Sequence, residues 1–217
     1  MDRWATFDCY GTLIDWDGGV RAQLAARFPV PDRALARFHA IEPGLQAGGG
    51  TRTYREVLTE VVPAIADAEG WPVPDDPGAL AASLPTWPPF PEVPGVLAEL
   101  RDRGWRLGIL SNTDPDYLDA SLALIGVHVD ERVTASEIGS YKPGVAHWET
   151  FFRRTGADRR GHVHVAASLF HDVQPCAGLG LPCVWINRTG ETSGLPRSGE
   201  LPTLAGLPDL LDGMVPA

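Results

Sequence analysis

Residues 4–15 read WATFDCYGTLID: an apolar run closes on Asp8, and Tyr10, Gly11 and Thr12 follow at once. The run has the character of a buried strand, and Asp8 would stand at its carboxyl end. A carboxylate in that position, with a phenol rather than a second carboxylate two residues on, decides both the fold and the chemistry expected of the chain.

Other short apolar runs read as buried parallel strands: Trp105–Leu110, Val133–Ala135, His162–Ala167 and Pro182–Asn187. Helical patterns lie between them at Pro94–Arg103, Pro115–Ile125, Val145–Arg154 and Val173–Leu179. Strands alternating with helices predict an α/β fold, a Rossmann-like doubly wound parallel sheet. In such sheets crossovers are right-handed and ligands sit at the carboxyl ends of the strands.

The alternation stops between about Asp15 and Phe90. That stretch has helical periodicity only, at Val20–Phe28, Asp32–Gln46, Thr51–Ala68 and the shorter Gly78–Leu84. It closes on Pro85, Pro88, Pro89, Pro91 and Pro94, a run unsuited to a helix and suited to a semi-rigid linker. The expectation is an all-helical cap domain over residues 15–90, inserted into a core of residues 1–14 and 91–217. The hinges would lie near Asp15–Asp17 and Pro85–Val93. The tail after Arg188 is rich in Gly, Ser and Pro and is expected to hold one short helix, Leu207–Met214.

Composition narrows the function. The chain has 217 residues, 44% apolar and 21% charged, with a net charge of −10. It has no Lys/Arg block, which argues against a nucleic-acid partner. No apolar run approaches the roughly 20 residues that span a bilayer, which argues against a membrane one. The N-terminus lacks a signal-peptide layout, and Cys9, Cys176 and Cys183 have no metal-type spacing. A cytoplasmic protein with reduced thiols is expected.

Four motifs fall at expected strand ends: Asp8-Cys9-Tyr10-Gly11-Thr12, Ser111-Asn112-Thr113-Asp114, Tyr141-Lys142-Pro143, and Ala167-Ser168-Leu169-Phe170-His171-Asp172. Their order and spacing resemble the haloacid dehalogenase (HAD) superfamily of hydrolases over nearly the whole chain. FDCYGTLID is similar to the first motif of its L-2-haloacid dehalogenase branch.

The resemblance implies roles. Asp8 would be the nucleophile and Lys142 the partner that keeps it ionised. Gly11 would allow the sharp turn beneath it. Thr12 and Ser111 would orient carboxylate oxygens. Asp172 would orient Lys142 or help activate the water that hydrolyses an ester. Asn112 and Tyr10 would contact a small anionic substrate, and His39 falls near the place of the branch's halide-binding cap arginine. Arg33, Arg37, Arg52 and Arg55 are alternatives for that task.

Phosphatases of the superfamily carry Asp where this chain has Tyr10 and again where it has Ala167. Without those carboxylates only Asp8 and Asp172 remain for a hard cation, which wants several oxygen ligands. Phosphoryl transfer depends on such a cation. The implied reaction is therefore metal-free and cofactor-free, a 2-haloacid dehalogenase-type SN2 displacement of halide through an ester. Two alternatives stay open. Ala167 and Leu169, where the branch usually has Ser and Asn, leave a non-catalytic protein of this fold that binds a small anion or a partner. A phosphatase, the one reading that would call for Mg²⁺, is disfavoured by Tyr10 and Ala167. Relatives of this type are often dimers, which leaves a homodimer open.

Several residues have plainer readings. Ser111 and Asn112 are also turn formers, and Lys142-Pro143 alone would be a surface turn. Asp172 also suits the N-cap of the helix from Val173. Asp114 followed by Pro115 reads as an N-cap. His162 and His164 share a strand face and are expected in the core rather than on a metal. Trp16, Trp87 and Phe90 are expected to pack the linker rather than wall a pocket, and Cys9 to pack on the far face. His171 adjoins the site and would titrate near neutrality, but is assigned no catalytic role.

Overall fold

The computed structural model describes residues 2–47 and 52–217. A six-stranded parallel sheet, β1 (Arg3–Phe7), β2 (Trp105–Ser111), β3 (Glu131–Thr134), β4 (His162–Ala166), β5 (Cys183–Ile186) and β6 (Gly199–Leu201), runs in the order β3-β2-β1-β4-β5-β6. Every residue of β1 is buried, as its unbroken apolar run predicts for a strand covered on both faces. Phe7 is level with Ile109 on one side and Val165 on the other. β1 and β4 therefore end within a residue of each other while β2 runs two residues further, and the order reverses beside β1, where such sheets open a crevice.

Between β1 and the rest of the core come α1 (Trp16–Ala25), α2 (Pro31–Ala47), α3 (Tyr54–Glu69) and α4 (Ala79–Ser83), the inserted helical region. α3 begins at a capping box, in which Thr53 and Glu56 satisfy each other's backbone N–H, and ends at Gly70 with φ +69°. It buries Val57, Leu58, Val61, Val62 and Ile65, a stripe at helical spacing. Each such side chain removed from water contributes roughly 1.5–3 kcal/mol. The core helices are α5 (Val93–Asp102), α6 (Pro115–Ile125), α7 (Ala135–Ile138), α8 (Ala146–Thr155), α9 (Gln174–Leu179) and α10 (Leu207–Met214). Among the described residues no helix is long and apolar enough to cross a membrane.

The two connections to the helical region pair with each other. Asp15 N donates to Pro88 O at 3.0 Å, and Phe90 N donates to Leu13 O at 2.9 Å, around an antiparallel bridge between Ile14 and Pro89. Proline lacks an N–H but keeps its carbonyl, so the proline-rich stretch accepts here. Trp87 lies against Gly19, where a Cβ would clash with the indole, so these crossings are packed as well as hydrogen-bonded.

A second tie comes from Asp114. It occupies the N-cap position of α6, yet its side chain makes no bond there. Its carboxylate instead accepts from Tyr54 N and Arg55 N, both at 2.9 Å, at the start of α3. An aspartate of the core thus takes the free amides and positive dipole end of a helix in the insertion.

The remaining differences from expectation are local. Thr51, the expected start of the third cap helix, lies outside the described residues. β6 falls in the stretch read as irregular tail, because three residues of mixed polarity carry no strand period. It is held by backbone pairing to β5 and by Asn187 N donating to Leu201 O at 2.8 Å.

Candidate active site

Asp8 stands one residue past β1, with its own N–H donating to Val165 O of β4 at 3.1 Å. Gly11 turns the chain beneath it at φ +86°, a conformation that disfavours any residue with a Cβ. The turn returns Thr12 to the carboxylate, where its Oγ1 donates to Asp8 Oδ2 at 2.9 Å and accepts from Ala167 N at 2.9 Å. The other oxygen, Oδ1, accepts from Lys142 Nζ at 2.8 Å. Both oxygens are thus oriented before any substrate arrives.

Lys142 is almost fully buried, and its three donors are all used: Asp8 Oδ1, Leu110 O at 2.8 Å and Asp172 Oδ1 at 2.7 Å. Burial alone would pull an ammonium's pKa down, but Asp172 and Asp8 outweigh it and hold Lys142 charged well above its ordinary range. Burial also opposes ionisation of Asp172, yet Lys142 and His164 hold its carboxyl well below the usual carboxylate range. His164 Nε2 sits 3.0 Å from Asp172 Oδ1, and its Nδ1 lies 2.8 Å from Thr6 Oγ1 on β1. His162 meets the same Thr6 hydroxyl at 2.8 Å. The two histidines are core residues, as expected, but His164 also orients a motif carboxylate.

Asn112 serves as a clamp. Its Oδ1 accepts from Lys142 N at 2.7 Å, and its Nδ2 donates to Lys142 O at 3.0 Å and to Gln46 Oε1 at 3.1 Å. The residue expected to hold substrate therefore fixes the lysine loop and ties it to α2. Ser111 differs: its Oγ is buried with no partner among the described residues, and the residue lines the cavity beside Asp8. His147 Nε2 approaches Ser111 O at 3.2 Å from behind, with its ring pushed down to about 3 by burial and therefore neutral.

The cavity between core and insertion is about 530 Å³ and contains Asp8, Tyr10, Ser111, Asn112, Lys142, Asp172 and His39 in its walls. Thr12 lies behind Asp8. Tyr10 borders the cavity, while its hydroxyl is bonded to Ser121 Oγ at 3.0 Å. Burial pushes that phenol far above its ordinary range. His39 Nε2 pairs with Asp17 Oδ1 at 3.2 Å. Arg33 and Arg37 both pair with Glu69, Arg52 with Glu60, and Arg55 with Asp116; none of the four is in the cavity wall. Trp16 and Phe90 do line it, contrary to the packing-only expectation, whereas Trp87 packs as expected.

Two wall residues were not legible as functional. Arg188, two residues past β5, donates to Thr12 O at 2.8 Å, pairs with Glu92 at 2.8 Å and stacks 3.5 Å above Phe90. Its one sequence signal is a cation at the carboxyl end of a strand. Glu42 on α2 is 5% exposed, bonded to Gln46, and raised by burial to about 7.

The fold and this arrangement define a hydrolase-type α/β protein in which a strand-end aspartate, oriented by a threonine and a buried lysine, faces a cavity under an inserted cap. The model of the haloacid dehalogenase-like hydrolase family matches residues 3–165, and the chain belongs to that family. It is 33% identical over 129 residues to the (S)-2-haloacid dehalogenase of Pseudomonas sp. (strain YL), an alignment covering 57% of this chain and 55% of that protein. It is 31% identical over 101 residues to the glyceraldehyde 3-phosphate phosphatase of Methanothermobacter thermautotrophicus, covering 46% and 45%. The chain spans about half the length of the curated relatives it matches. The fold is that of the L-2-haloacid dehalogenase of Xanthobacter autotrophicus, solved with chloropropionic acid covalently bound: TM-score 0.85, 20% identity, 99% of this chain and 100% of that one.

Proposed function

We propose that this protein is a metal-independent 2-haloacid dehalogenase-type hydrolase with Asp8 as nucleophile. An Asp8 oxygen attacks the carbon bearing the halogen; the carbon–halogen bond breaks and halide leaves with its electron pair. Water then adds to the carbonyl carbon of the resulting ester. The ester C–O bond on the Asp8 side breaks, a hydroxy acid departs, and Asp8 regains a carboxylate oxygen from water. Thr12 and Lys142 hold the attacking carboxylate, a pre-organisation that lowers the barrier. The unpartnered Ser111 hydroxyl is a ready donor to the substrate carboxylate, and Arg188 adds positive charge to the same cavity. The likeness to the Pseudomonas (S)-2-haloacid dehalogenase supports this substrate class.

One observation carries the reading. Tyr10 stands where a leaving-group acid would be, but its hydroxyl is bonded to Ser121 and burial holds its proton far more tightly than a carboxyl would. Tyr10 therefore supplies no proton to a group leaving from that side, and halide, unlike an alkoxide, needs none.

The phosphatase relative motivates a second reading, with Mg²⁺ as its cofactor. The residues do not fit the ion. Asp8 and Asp172 each already accept from Lys142, position 167 is alanine, and among the described residues no cluster of three His, Cys, Asp or Glu side chains gathers.

The test is halide release from a panel of small 2-haloacids in EDTA, wild type beside Asp8→Asn. Release by the wild type that vanishes in the variant is expected. No release from any acid would favour the non-catalytic alternative, and phosphate-ester turnover requiring Mg²⁺ would favour the phosphatase.

A further inference from the structure

Hydrolysis of the ester needs a base for the attacking water, and the expected candidate, Asp172, is poorly placed for that work. Although the residue borders the cavity, its Oδ1 already accepts from Lys142 Nζ at 2.7 Å and His164 Nε2 at 3.0 Å, and its Oδ2, without a partner among the described residues, is sealed from solvent. A carboxylate stabilised this strongly is a weak base.

His171, the preceding residue, is presented differently. It lines the same cavity as Asp8. Its Nδ1 lies 3.1 Å from Ser168 Oγ, and that oxygen also accepts from His171 N at 3.1 Å. The hydroxyl thus holds the ring from one side. Among the described residues Nε2 has no hydrogen-bond partner and is not among the sealed polar atoms.

Resting on the dehalogenase reading, we infer that His171 is the catalytic residue for the second half-reaction: its Nε2 takes a proton from the water that attacks the Asp8 ester. With the ring proton on Nδ1 donated to Ser168 Oγ, the Nε2 lone pair is left free to accept from water in the cavity that His171 lines. The proton passes from water to Nε2 as the new C–O bond forms, leaving imidazolium. It then returns to the departing alkoxide oxygen of the hydroxy acid, so no co-reactant is consumed. Ser168 is the positioning residue. Burial holds the imidazole below its ordinary range, with Asp172 pulling upward, Lys142 downward and Asp8 upward, so the ring is neutral and able to accept at physiological pH.

The experiment follows halide and the Asp8 ester through the first turnover and into the steady state. Enzyme is mixed with excess 2-haloacid; halide release is timed, and acid-quenched protein is weighed by mass spectrometry for the ester on Asp8. Wild type, His171→Asn, His171→Phe, Ser168→Ala and Glu42→Gln are compared. The His171 variants should release about one halide per chain in a burst and then stall as the ester. Steady turnover should fall by about 10²–10⁴, the usual contribution of a general base. The burst itself reports a folded Asp8 site. Ser168→Ala should stall less completely.

Steady turnover within a few-fold of wild type with no trapped ester would overturn the inference. So would the loss of the burst in both His171 variants, which would put the residue before ester formation. Ester trapped in Glu42→Gln and not in the His171 variants would make the cap carboxyl the base instead. A wild-type protein that releases no halide and forms no ester would refute the dehalogenase reading itself, and the inference with it.

Discussion

Glu42→Gln should stabilise the protein above neutral pH and change little near pH 4. Glu42 is a sealed carboxyl in the cavity wall, 5% exposed. Burial raises it from 4.5 to about 7, while hydrogen bonds from Gln46 and Tyr54 pull the other way. The unfolded chain loses this proton near the ordinary value. Across the window between the two values the folded state keeps a proton that the unfolded state has released, so raising the pH favours unfolding. Stability is therefore highest below the unfolded value, falls through the window and levels off above about 7. At ~1.4 kcal/mol per pH unit the full amplitude is ~3 kcal/mol. Glutamine keeps the carbonyl that accepts from Gln46 and cannot ionise. The assay is urea unfolding of wild type and variant at steps from about pH 4 to about pH 8, taking the difference between the two at each step so that other carboxylates cancel. The variant should gain ~3 kcal/mol on the wild type across that range. A difference that stays flat, or runs in the opposite direction, would refute the placement of Glu42 as a buried, protonated wall residue.

Lys142→Met leaves Asp8 and Asp172 facing each other without a counter-charge and should cost ~3–5 kcal/mol, read by urea unfolding; an unchanged midpoint would mean that the lysine does not hold the two carboxylates. Thr12→Val removes the donor to Asp8 Oδ2 and should slow the halide burst by ~10²; a burst at the wild-type rate would assign the orientation of Asp8 to Lys142 alone. Asp114→Ala strips the acceptor from Tyr54 N and Arg55 N and should lower stability by ~1–2 kcal/mol. Hydrogen exchange at those two amides should accelerate, and protection equal to wild type would rule out Asp114 as a tie between core and cap.

The alternation of apolar runs and helical patterns was enough to read the parallel sheet, because strands covered on both faces must be apolar throughout. The same logic located the insertion, where strand signals stop and proline closes the segment. Asp8, Ser111, Lys142 and Asp172 could be placed at one edge of the sheet because each falls at the end of a strand or in the segment that follows one, and chain order alone gathers such positions there. β6 could not be read, since three residues of mixed polarity owe their form to the backbone of β5. Partnerships were less legible than positions. Asp114 looks like the cap of its own helix, but its carboxylate reaches α3, a helix some sixty residues earlier. Asn112 looks like a substrate donor and spends its amide on Lys142 and Gln46. His164 and Arg188 look like core and tail, and only packing brings the one to Asp172 and the other beneath the cap. What the sequence by itself determined is the order of elements and the set of groups at the strand ends, because periodicity and turn chemistry act over a few residues. What only the tertiary structure decided is which of those groups spend their hydrogen bonds on each other and which, like Ser111 and His171, keep a polar atom without a partner among the described residues, since that depends on distances set by packing among segments far apart in the chain.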